Sequence, residues 1–222
     1  MRRAAAALAA LFAAAAAAHT PGEAPGALDF APPAAGTYAL AAIQAAPAGE
    51  VIDSKGRARP LGDFTRGRIT LVGLVYTRCN DSEGCPRATW AFNAVRMALR
   101  DRPAVEAQVR LVTLSFDPVH DDYRALAAWG ARMGARRRGA EWHFLTTRSR
   151  RELAPILDGF GQDLRVEAGS RARPGTEAFS HTLKVFLIDP AGMVREIYST
   201  AYLMPEMIVN DIETLAREGG AG

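Results

Sequence analysis

The sequence predicts an α/β sandwich, a central mixed sheet flanked by helices. Three observations carry that reading. Leu71–Tyr76, Val109–Phe116 and Leu183–Ile188 are short, continuous apolar runs, the pattern of strands covered on both faces. Segments with apolar residues at helical spacing lie between them, after Cys85 and after Asp122. Asp189-Pro190-Ala191-Gly192 then separates Leu183–Ile188 from Val194–Ser199, which gives a closing hairpin before a last helix. With 222 residues, no internal repeat and no second boundary, one domain with a substantial core is expected.

The elements follow in chain order. Met1-Arg2-Arg3 and the alanine- and leucine-rich run to Ala18 form the basic start, short apolar segment and small-residue end of a secretory signal peptide, residues 1–18. The run is too short and too rich in alanine for a membrane span; an uncleaved anchor is the alternative. Absence of a nearby cysteine excludes a lipid anchor on a mature N-terminal Cys. Residues 19–37, rich in Pro, Ala and Gly, read as a flexible linker, residues 38–217 as the folded domain and residues 218–222 as a disordered tail. Tyr38–Ile43 alternates as a strand, and Val51–Gly56 reads as a strand entering a turn at Gly56.

After Leu71–Tyr76, a loop Asn80–Gly84 separates Cys79 from Cys85, with Gly84 expected at positive φ. Pro86 then opens a helix whose apolar face is predicted from Trp90, Ala94, Met97 and Ala98. Beyond Val109–Phe116, Asp121 and Asp122 are expected to cap a helix carrying Leu126, Trp129 and Met133. Trp142–Leu145 is a short strand. Ser149 and Glu152 form a capping box on a helix that Pro155 shortens or bends. Arg165–Thr176 is a polar loop, and Pro205 starts a last helix with Ile208, Ile212 and Leu215 on its face. Met97, Met133 and Met207 are assigned to the core.

Charge gives little direction. There are 27 basic and 24 acidic residues; loss of Arg2 and Arg3 with a signal peptide leaves a net charge near +1, which makes no case for nucleic-acid binding. Arg136–Arg138 and Arg148, Arg150 and Arg151 are read as a solvated face ahead of a docking patch.

The chemistry sits at the two cysteines, the only ones in the chain. Cys79 follows a buried strand and Cys85 precedes a helix, where unpaired N–H groups and the helix dipole stabilise a thiolate. Six positions apart, they cannot share one face of a regular helix, so a loop must separate them, and in such a loop the two sulfurs could converge. A redox disulfide, a shared soft metal ion and a purely structural disulfide all fit those residues. A cysteine pair at a strand–helix junction is a thioredoxin-like arrangement, and export implies a compartment, such as a bacterial periplasm, where disulfides persist.

Taken together and in order, Tyr76-Thr77-Arg78-Cys79, Cys85-Pro86, Thr113–Pro118 and His181 ahead of Leu183–Gly192 resemble the Sco/SenC family of copper chaperones over about Tyr38–Arg217. The resemblance implies a thioredoxin-like fold with an extra N-terminal hairpin. It implies a mononuclear copper site, Cu(I) or Cu(II), with Cys79, Cys85 and His181 as ligands, and Asp117 as an acid near the copper loop. It also implies a copper-accepting partner such as a cytochrome c oxidase subunit, and a thiol reductant protein as a possible second partner. One departure is evident: the family usually has three residues between its cysteines, with Pro after the first, whereas five stand here and Asn80 takes the place of that Pro.

Two thiolates and an imidazole are a soft set that suits copper, whereas zinc would ask for a fourth ligand. His120 and His143 lack that support and are assigned no ligand role; His19, near the expected new N-terminus, has little. The rival function is a thiol–disulfide oxidoreductase using Cys79 and Cys85, although efficient exchange usually employs two intervening residues. A peroxiredoxin-like enzyme ranks lower, because Thr77 precedes Cys79 by only two positions.

Overall fold

The computed structural model describes residues 30–79, 84–135, 137–166 and 179–219. The expected signal peptide, most of the expected linker with His19, the loop 80–83, most of the polar loop after Arg165 and residues 220–222 lie outside the described residues, whereas Glu218 and Gly219 of the expected tail belong to the last helix.

The strands are β1 (Gln44–Ala45), β2 (Glu50–Asp53), β3 (Ala58–Pro60), β4 (Ile69–Val75), β5 (Val109–Ser115), β6 (Glu141–Thr146), β7 (Arg165–Val166), β8 (Phe179–Ser180), β9 (Lys184–Ile188) and β10 (Met193–Ser199). The helices are α1 (Gly62–Thr65), α2 (Cys85–Leu99), α3 (Pro103–Glu106), α4 (Tyr123–Arg132), α5 (Arg150–Gly159) and α6 (Pro205–Gly219). Eight strands form one sheet in the order β1-β10-β9-β4-β5-β6-β2-β3, and β7 pairs with β8 apart from it. β4, β5 and β6 run parallel, while β9 lies antiparallel to β4 and β2 antiparallel to β6. This is the expected mixed, thioredoxin-like sheet, with the β2–β3 hairpin as the N-terminal addition.

Why β4 lies at the centre is plain from its residues: all seven are buried, so water can solvate neither face and only a doubly covered position suits them. Helix α2 covers one face, where Phe92 meets the backbone of Gly73 and the ring of Trp142, which lies 5.7 Å away. α6 packs beside α2 on that side. On the other face α5 contributes Phe160, 4.5 Å from Phe186, which pairs in register with Val72. The turn after β9 has the predicted form: Gly192 at φ 87° donates its N–H to the Asp189 carbonyl, and Asp189 Oδ1 accepts the N–H of Met193.

A buried carboxylate ties the chain ends together. Asp211 of α6 accepts hydrogen bonds from the hydroxyls of Tyr198 (2.6 Å) on β10 and Tyr38, which precedes β1. Burial pushes Asp211 above the usual carboxylate range, and the two phenol donors pull part of that back. Burial beside that carboxylate pushes Tyr38 up to about 12 and Tyr198 well above the usual phenol range. Nearby, Gly36 N donates to Thr214 Oγ1 and Asn210 Nδ2 donates to the Pro33 carbonyl, so the end of the span expected as linker lies along α6.

Several expectations are corrected. Tyr38–Ile43 is not a strand: the guanidinium of Arg195 takes the Leu40 carbonyl, and backbone pairing with β10 begins only at Ile43. The buried residues of α2 are Cys85, Ala88, Ala91, Phe92, Val95, Leu99 and Arg96, whose guanidinium donates to backbone carbonyls, whereas Met97 is 63% exposed. That helix is apolar nearly all round, so periodicity admits two phases and the fit of Phe92 over Gly73 selects one. Met133 and Met207 are only half-buried. Asp122 alone caps α4, accepting from the N–H groups of Arg124 and Ala125; Asp121 does other work. Ser149 caps α5 as expected, and the helix continues past Pro155 to Gly159.

Two outcomes follow from this packing. A Cβ on Gly130 of α4 would lie 2.8 Å from the Phe144 ring, so Gly130→Ala is expected to overpack this contact and cost about 1–3 kcal/mol in urea unfolding. The phenols stay neutral in the fold but titrate near 10 when unfolded, so their stabilisation is complete below pH ~10 and is lost as pH rises toward 12. Unfolding midpoints between pH 8 and 12 should fall less steeply in Tyr38→Phe than in the parent. Tyr198→Phe should cost about 1–3 kcal/mol at pH 8, because a buried carboxylate loses a donor.

Candidate thiol and metal site

Strand direction gathers the site. β4 and β5 are parallel, so their C-terminal ends share one edge of the sheet. β9 runs the other way, with Val185 opposite Gly73, so the residues entering β9 reach the same edge. Tyr76–Cys79, Ser115–Asp121 and His181 therefore converge on the crevice beyond the strand ends, where α/β proteins commonly bind ligands.

Cys79 and Cys85 are present as thiols, the first half-buried and the second 3% exposed. Both line one cleft of about 320 Å³ with Tyr76, Pro86, Thr89, Trp90, Trp129 and Met133. Cys85 is the first residue of the fifteen-residue α2 and Pro86 the second, so the helix dipole favours a thiolate at this sulfur. Gly84 precedes it at φ −93°, ψ −109°, not at the expected positive φ. Thr89 donates its hydroxyl to the Cys85 carbonyl, and Asn93 donates to the Thr89 carbonyl, which closes the polar groups of this wall.

A chain of ring contacts runs from Tyr76, which lines the cleft, to His181. Tyr76 lies 4.9 Å from Phe116 and 5.2 Å from Phe179, and the His181 ring packs edge-on at 4.6 Å from Phe116. Burial pushes the Tyr76 hydroxyl up to about 12, reinforced by the Cys79 and Cys85 sulfurs and by a side-chain hydrogen bond joining Tyr76 to Cys79. The structure thus brings both cysteines into one cleft and His181 to the same edge of the sheet. Among the described residues, no three His, Cys, Asp or Glu side chains are gathered closely enough to hold a metal ion. In donor chemistry, two thiols and an imidazole suit a soft ion.

Two buried carboxylates organise the loop ahead of Cys79. Asp121, with no exposure, accepts the Thr77 N–H (2.9 Å) and Ser115 hydroxyl (2.6 Å) at Oδ2 and the Thr77 hydroxyl (2.5 Å) at Oδ1. Asp117, equally buried, faces Arg78 at 3.1 Å, His120 Nδ1 at 2.8 Å and Arg150 at 3.9 Å. His120 thus has a carboxylate partner, and His143 lies away from the cleft, 5.2 Å from Phe64. Arg150, read from sequence as surface charge, also lies over the Phe179 ring at 5.5 Å. Sequence reasoning missed Asp121 and the cleft residues Trp90 and Trp129 as parts of the site. The available signal for Asp121 was that two adjacent acids cannot both be the N-cap of one helix.

No curated protein sequence matches the chain. Solved structures show the same fold. A SCO1/SenC family lipoprotein from Bacillus anthracis is 20% identical, with 78% of this chain and 95% of that one covered and a TM-score of 0.64. ScoI of Bradyrhizobium japonicum with copper bound is 18% identical, covering 77% and 99%, with a TM-score of 0.62. BsSco, a member of the Sco family of cytochrome c oxidase assembly proteins in which a disulfide switch was identified, is 20% identical, covering 81% and 98%, with a TM-score of 0.61. Residues 44–217 match SCO1/SenC itself, nearly the whole folded domain from β1 through most of α6, and on that match the chain belongs to the SCO1/SenC family.

Proposed function

We propose that the protein is an exported copper-binding chaperone that serves the assembly of a copper centre, with Cys79, Cys85 and His181 as copper ligands. One observation carries the reading: in a SCO1/SenC chain, the only two thiols line a single cleft at the β4–α2 junction. A relative with copper bound and a relative among the cytochrome c oxidase assembly proteins support it, and they point to an oxidase subunit as the acceptor. The related lipoprotein supports export. Among the described residues, no helix is long and apolar enough to cross a membrane; the N-terminal segment proposed as a cleaved signal or an anchor precedes them.

Copper is the cargo in this reading, and each side chain has a distinct task. Cys85 supplies a thiolate stabilised by the start of α2. Cys79, half-buried ahead of the loop, supplies the second thiolate and is the more accessible to a partner's sulfur during ligand exchange. His181 supplies the imidazole from the edge of β9, where its ring packs on Phe116. The apolar cleft wall limits water around the soft donors. Asp117 and Asp121 hold the strand end from which Cys79 projects.

The same cleft supports a second reading, thiol–disulfide exchange with partner cysteines, because copper binding needs the thiols reduced and oxidation joins them. Cys85 holds the helix-start position of an attacking thiol.

Titration of the reduced apoprotein tests the two readings. One copper per chain is expected, abolished in Cys85→Ser. His181→Ala should weaken binding by more than the roughly 10–100-fold that follows loss of an outer partner. Unchanged affinity in His181→Ala would remove that ligand. Absence of stoichiometric binding, with turnover on a protein disulfide, would transfer the assignment to thiol exchange.

A further inference from the structure

We propose that Asp121 is a positioning residue for the thiol pair: its carboxylate fixes the strand end that presents Cys79. This rests on the reading of Cys79 and Cys85 as the working thiols and adds a residue to it. Thr77 is bonded at both its N–H and its hydroxyl, on the two oxygens of one buried carboxylate, so its backbone and its side-chain rotamer are held together. Arg78, the next residue, reaches Asp117, four positions before Asp121. Cys79 N then donates to the Tyr76 carbonyl at 3.4 Å, at the long end of such bonds.

The short segment Ser115–Asp121 carries both halves of the geometry. Ser115 hydroxyl donates to Asp121 and accepts the N–H of Asp117, so the two carboxylates are coupled through it. Phe116, between Ser115 and Asp117, contacts both Tyr76 and His181. Asp121 therefore holds the Cys79 arm against the same segment on which the His181 ring rests. An acid used only to cap α4 would not do this, and Asp122 already fills that place. Three hydrogen bonds to a carboxylate with no exposure meet the need of a buried charge for satisfied partners.

The test compares Asp121→Asn, Thr77→Val and Thr77→Ser with the parent in the full chain. Three quantities are read: the midpoint potential of the Cys79–Cys85 couple, copper affinity with the thiolate-to-copper(II) absorption band, and the melting temperature. Asp121→Asn and Thr77→Val should change the thiol–disulfide equilibrium constant at least tenfold, about 30 mV. They should also shift the band and weaken copper binding at least tenfold, within the range seen when an outer partner is lost. Thr77→Ser keeps both donors and should restore parent values. A lowered melting temperature with potential and band unchanged in both disruptive variants would overturn the proposal and leave Asp121 a fold residue. The potential is measured without copper, so failure of the copper reading and failure of the Asp121 proposal are told apart: a chain that binds no copper still shows whether Asp121 sets the potential.

Discussion

The buried carboxylate of Asp121 is the contact on which the site depends. A charge with no exposure needs all its oxygens satisfied, and here the backbone and hydroxyl of Thr77 and the hydroxyl of Ser115 satisfy them. Those donors lie at the ends of two adjacent parallel strands, so one side chain closes the gap between β4 and β5 where the ladder stops. Asp117 repeats the device one residue further along, toward Arg78. The chain leaving β4 is consequently held through Arg78, and the half-buried Cys79 stands first beyond the clamp.

The rest of the arrangement follows from where strands and helices begin and end. The helix dipole is useful to a thiolate only at the first turn, and Cys85 occupies the first position of α2. Parallel pairing of β4 with β5 and antiparallel pairing with β9 bring the Cys79 arm, the acidic segment and His181 to one edge. The rings of Tyr76, Phe116 and Phe179 cluster at this edge, with His181 packed on Phe116.

Much of this was legible in the residues. Fully apolar runs mark β4, β5 and β9 because a doubly covered strand has no polar side to show. Proline and glycine mark the turn after β9 and the starts of α2 and α6 because they restrict or free the backbone locally. Other features were not legible. The phase of α2 depends on a fit between Phe92 and Gly73 on a strand nineteen positions earlier. The strand expected over Tyr38–Ile43 gives way because a side chain from β10 claims the Leu40 carbonyl. Periodicity carries no information about such distant partners.

By itself, the sequence determined the α/β class, the order of elements, the thiol pair at a strand–helix junction and the family resemblance that the match over residues 44–217 sustains. These are set by local preference and by burial pattern, which neighbouring residues express. Only the tertiary structure decided that Asp121 is a clamp and not a cap, that Trp90 and Trp129 wall the thiol cleft, and that His181 rests against Phe116. Each of those depends on residues far apart in the chain meeting at one sheet edge, and their identities alone do not say which partners they will find.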